Sequence, residues 1–104
     1  MSFKKFWATL RANLRPGDTI RNWTAAKGYL GDSFTIARVS DKAVHIDASN
    51  AATTQHVPRN DFELMHSLWK EYCSGQAQRQ DIRDQTRFSK YTISIIKHLE
   101  TGPT

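Results

Sequence analysis

Apolar side chains recur at three- and four-residue spacing from Phe3 through Phe6, Trp7 and Leu10 to Leu14, which places them on one face of a helix. Ser2 stands ahead of them as an N-cap, and Lys4, Lys5, Arg11 and Arg15 fall largely off the stripe. That basic outer face is the ordinary result of amphipathicity. Pro16-Gly17 closes the helix, because proline disfavours helical geometry in the residue before it and glycine accepts the turn. From Asp18 to Val57 the pattern changes to short segments rich in Thr, Ile, Val, Phe and Trp. Gly28, Gly31, Asp32 and the turn Ser40-Asp41-Lys42 punctuate them. Strands are predicted over 19–24, 33–39, 43–48 and 53–57, the second and third forming a hairpin around Asp41. Phe34 and Ile36 share one face of their strand, and Val44 and Ile46 one face of the next.

After Pro58, Asn60 reads as a cap with Glu63 three residues on, opening a helix that runs to Ser74. Phe62, Met65, Trp69 and Cys73, with Leu68 and Tyr72 alongside, form its stripe, and Gly75 suits the left-handed residue that ends it. Two more helical signals follow: a short polar one around 79–85, and one over 89–99 that turns Thr92, Ile95, Ile96 and Leu99 inward. The expected fold is therefore α+β in a single domain. An N-terminal helix (1–16) covers a small, curled antiparallel sheet of about four strands (17–57), followed by a three-helix unit (58–100) and a tail (101–104). Phe6, Trp7, Leu10, Ile36, Ile46, Leu68, Trp69, Ile95 and Ile96 are the expected core.

Composition supports one core: the chain has 104 residues, 38% hydrophobic and 11% aromatic, enough apolar mass to fold. No run approaches the roughly 18 apolar residues that a bilayer-crossing helix needs, and the charged positions after the first residues are unlike a leader. A cytoplasmic protein with no membrane partner is expected. The single cysteine, Cys73, has no intrachain disulfide partner and falls among apolar helical positions, where a thiol is expected to pack. Fifteen Lys and Arg against ten Asp and Glu give a net charge of +5, which favours phosphate-bearing partners.

Candidate chemistry is sparse. His45, His56, His66 and His98 are scattered over strand and helix predictions with no HxxxH or Cys-x-x-Cys spacing, so no metal is expected. Gly28 and Gly31 fit neither a dinucleotide loop nor a phosphate-binding loop, and no cofactor is expected. Asp81 with Asp84, and Asp61 with Glu63, sit among arginines or at a helix start, where simple electrostatics explains them. The chain is read as no enzyme, without catalytic residues. What stands out is the stretch from Arg79 to Tyr91, in which cations, amides and hydroxyls cluster around the entry to the last helix. There a helix N-terminus can meet a phosphate or groove, as in a helix-turn-helix. Non-enzymatic nucleic-acid (DNA) binding is expected, with Arg79, Arg83, Arg87, Ser89 and Lys90 in contact and Lys97 and Arg38 extending the surface. A solvated short helix with alternating Arg and Asp would produce the same pattern. Two other readings stay open: a protein-interaction or self-association module with an exposed aromatic patch, and a small-molecule pocket lined by Trp23, Tyr29 and Trp69.

The succession Gly17-x-x-Ile20, Phe34-x-Ile36-x-x-Val39, Val44-x-Ile46, Val57-Pro58, Phe62, Leu68-Trp69, Gly75 and Arg87-Phe88-Ser89-Lys90-Tyr91-x-x-Ser94-Ile95-Ile96 resembles accessory domains found beside bacterial restriction nucleases. It does so by apolar spacing over most of the chain. The resemblance implies DNA contact at an Arg-x-Ser segment entering an apolar helix, here Arg87 and Ser89, and binding without cleavage. In general character the chain is also similar to proteins carried on mobile bacterial gene cassettes.

Overall fold

A computed structural model describes residues 2–48, 53–77 and 88–101. The elements are α1 (Phe3–Asn13), β1 (Thr19–Thr24), β2 (Gly28–Val39), β3 (Ala43–Ala48), β4 (Gln55–Pro58), α2 (Arg59–Ser74) and α3 (Ser89–Thr101). The architecture is α+β, with an N-terminal helix, a four-stranded sheet and two helices toward the C-terminus. The short polar helix expected over 79–85 lies outside the described residues.

Local chemistry sets the boundaries. The Ser2 Oγ accepts a hydrogen bond from the Lys5 N–H, and α1 ends at Asn13 with Leu14 already extended. That is earlier than the stop at Pro16-Gly17 that the sequence suggests. Pro16 biases only its neighbour, whereas Leu14 leaves the helix to bury its own side chain. Helix α2 begins at Arg59 with Pro58 as its N-cap and no side-chain cap bond, so the expected Asn60 cap is not used. The Arg59 N–H instead donates to the Lys42 carbonyl of the β2–β3 turn at 2.8 Å, which welds this helix start to the sheet. Gly75 ends α2 with a φ of 85°, as expected.

The strands pair antiparallel in chain order, β1-β2-β3-β4. β2 starts at Gly28, earlier than expected, because Gly31 and Asp32 lie inside the strand and do not end it. Register shifts between Arg21 and Trp23, and between Ile36 and Arg38, bend and curl the sheet. Ile20, Phe34, Ile36, Val44, Ile46 and Val57 are all buried, one inward set from four strands. Phe6, Trp7 and Leu10 of α1, Phe62 and Met65 of α2, and Ile93, Ile95 and Ile96 of α3 complete the cluster. Leu68 and Trp69 are half-buried against it.

Helix α3 is buried over five consecutive residues, Thr92 to Ile96, because β1 packs on one side of it and α2 on another. A one-sided stripe does not describe it. Where the ladder shifts at β1, the Trp23 N–H donates to the Ser94 Oγ at 3.0 Å, and that hydroxyl donates to the Lys90 carbonyl at 2.9 Å. The buried serine thus supplies a partner to strand backbone displaced by the bulge.

Candidate functional site

Alternation that turns six apolar residues inward turns their neighbours outward. Arg21 lies between buried Ile20 and Asn22, Thr35 between Phe34 and Ile36, and His45 between Val44 and Ile46. The α-helices lie on the other side of the sheet, so no described element covers this outer face. The register sets Arg38 opposite His45 and His45 opposite His56, a row across three neighbouring strands. The Arg38 Nη2 is 3.5 Å from the His45 Nε2, and the two imidazoles stand edge to face with centroids 4.3 Å apart. Burial, then His56 and Arg38, hold His45 below its ordinary value of 6.5. Asp47, next along the face, accepts a hydrogen bond from the Thr54 hydroxyl at 2.8 Å.

At the other end of the face, the Arg21 guanidinium lies 5.0 Å from the centroid of the Tyr29 ring. Tyr29 is 41% exposed and is the one exposed large hydrophobic among the described residues. Arginine on one face of an aromatic ring leaves the other face open for stacking.

The residues singled out from sequence go to different places. Arg79, Arg83 and Arg87 lie outside the described residues. Ser89 is 2% exposed at the start of α3, so its hydroxyl is buried away from any large partner. Lys90 reaches across to Asp32 of β2, Nζ to Oδ2 at 3.2 Å. This ammonium, and after it Asn22, holds the Asp32 carboxyl below the usual carboxylate range. The Lys97 ammonium sits 4.8 Å from the centroid of Trp23 and 3.7 Å from a Glu100 carboxylate oxygen. Arg38 projects from the opposite side of the sheet, so it joins neither lysine and instead stands with His45 and His56. Sequence reasoning missed this row because eleven positions separate the two histidines and no local motif links them. One signal was present: once Val44 pairs with Val57 in an antiparallel hairpin, His45 must face His56.

Other candidates resolve more simply. Cys73 is exposed, against the packed thiol that its helical position suggested, because α2 turns Tyr72 inward and leaves its neighbour on the rim. Partial desolvation of the sulfur at this rim, and then the Glu100 carboxylate, push its pKa up, with Lys97 opposing, so the thiolate is disfavoured. His66 packs its ring on Phe6 at 4.9 Å and Phe3 at 5.7 Å. Trp23 and Trp69 meet at a tilt with ring centroids 5.9 Å apart, beside Tyr72, and Tyr29 lies opposite Trp23 in the β1–β2 register. A cleft of about 450 Å³ lies instead between the β1–β2 turn and the end of α2, bordered by Ala25, Lys27, Leu30, Tyr72 and Cys73. Among the described residues, no group of three or more His, Cys, Asp or Glu is placed to hold a metal ion, and no helix is long and apolar enough to cross a membrane.

No protein family, curated protein or solved structure matches the chain.

Proposed function

We propose that the protein is a non-enzymatic nucleic-acid-binding domain that meets the phosphate backbone with the outer face of its sheet. The observation that carries this reading is the row of Arg38, His45 and His56 on three adjacent strands, exposed at Arg38 and His56, with the Asp47 carboxylate farther along the same face. Arginine offers phosphate a planar fork of donors, and imidazoles add N–H donors. The net charge of +5 adds long-range attraction for a polyanion. A protein-interaction module would present an apolar patch, and Tyr29 alone is a poor one.

A salt titration of oligonucleotide binding tests the reading. If about three phosphates are neutralised, log K falls against log salt with a slope of about −2 for a single strand or nearer −3 for duplex. Arg38→Ala lessens that slope by roughly one phosphate's worth, while Lys90→Ala, on the other side of the sheet, leaves it unchanged. Absence of binding at low salt discards the function. Sensitivity to Lys90→Ala with indifference to Arg38→Ala moves the site to the start of α3.

A further inference from the structure

A strand-shaped polyanion has more to meet on this face than charge. Arg21 pairs in register with Ser33, and Arg38 lies five residues farther along the same strand, about 17 Å at ordinary strand rise. That is the length of about five stacked nucleotides at 3.4 Å each. Tyr29 stands four residues before Ser33, beyond one end of that span, with Arg21 on one side of its ring, and the other end carries the Arg38–His45–His56 row. Between them the face presents the small hydroxyl side chains Ser33, Thr35 and Thr19, with Thr35 opposite Thr19, which give a ligand close approach.

Duplex DNA is a poor occupant, because its bases are already stacked on one another and a tyrosine at the margin of a sheet has no unstacked ring to meet. A single strand has both a flexible backbone for the cations and free base faces for the ring. Building on the nucleic-acid reading above, we infer that the outer sheet face is a single-strand-binding surface, with a base stacked on Tyr29 and the backbone running to the Arg38–His45–His56 row.

The imidazoles add a dependence on pH. The groups facing His45 are Arg38 from β2, His56 from β4 and Asp47 along β3, and its proton is disfavoured by burial and then by His56 and Arg38. A bound phosphate supplies the missing negative charge, and binding is coupled to proton uptake.

The test is fluorescence anisotropy with labelled single strands and duplexes of about twelve nucleotides, at low salt, at pH 8 and at pH 5.5. The single strand is expected to bind at least ten-fold more tightly than the duplex and to tighten at the lower pH. Tyr29→Ala is expected to weaken it roughly ten- to hundred-fold, the range of one base–aromatic stack, while Tyr29→Phe and Tyr29→Trp retain it. Tyr29 is exposed, so its removal leaves the core intact, and a denaturation curve for each variant verifies this. Equal or tighter duplex binding overturns the inference and leaves the outer face standing as a phosphate-binding surface, and single-strand binding indifferent to both Tyr29→Ala and Arg38→Ala overturns it and moves nucleic-acid binding elsewhere on the molecule. No binding of either probe overturns both.

Discussion

The Tyr72 hydroxyl accepts a hydrogen bond from the Ala25 N–H at 3.0 Å, across 47 positions of sequence, and so fastens the β1–β2 turn to the last turn of α2. Gly28, with a φ of 72°, lets the chain reverse beside that anchor. Tyr29 and Arg21 lie just beyond it, so the same bond steadies one end of the outer face. Tyr72→Phe is expected to cost about 1 kcal/mol, and Tyr72→Ala about 3–5 kcal/mol because the ring is buried. Urea denaturation checks this: the midpoint shifts with the slope unchanged.

Ser94 and Thr92 are both buried hydroxyls on α3 with different duties. The Ser94 Oγ accepts from strand backbone, whereas the Thr92 hydroxyl donates only to the Phe88 and Ser89 carbonyls in its own helix. Ser94→Ala strands the Trp23 N–H and is expected to cost about 1–3 kcal/mol. Thr92→Val keeps the shape and loses no strand contact, so it is expected to cost under about 1 kcal/mol. Equal losses for the two would mean that water replaces Ser94 at the bulge.

Ile96 packs on α3 where helix and sheet meet, at 4% exposure. Ile96→Ala is expected to lower stability by about 2–5 kcal/mol, the cost of lost burial plus a cavity. A loss under about 1 kcal/mol in denaturation would place Ile96 outside the core.

His45 titrates below 6.5 in the folded chain, chiefly through burial, with His56 and Arg38 adding to it. As the pH falls through 6.5 the unfolded chain takes up this proton first, so the free protein loses stability on acidification until the folded imidazole also protonates. His45→Gln is expected to flatten that part of the profile between about pH 7 and pH 5, read from denaturation midpoints. A saturating single strand is expected to reverse the trend for the wild type, because the phosphate favours the protonated ring. Profiles of the same shape for wild type and His45→Gln would remove the imidazole from both effects.

Periodicity alone determined the fold class, the antiparallel hairpin around Asp41 and most of the core, because the inward positions of Phe6, Ile36, Val44 or Ile46 follow from spacing along one element. Spacing could not say that α3 is covered from two sides, since Ile93 and Ser94 are buried by α2 and β1, elements distant in the chain. The same limit applies to function. Net charge was legible, but a list of cations does not tell which side of a sheet each one faces. Only tertiary structure set Lys90 against Asp32, buried Ser89 and turned Cys73 outward. It also brought His45 and His56 within 4.3 Å beside Arg38, because strand pairing joins residues that no local motif connects.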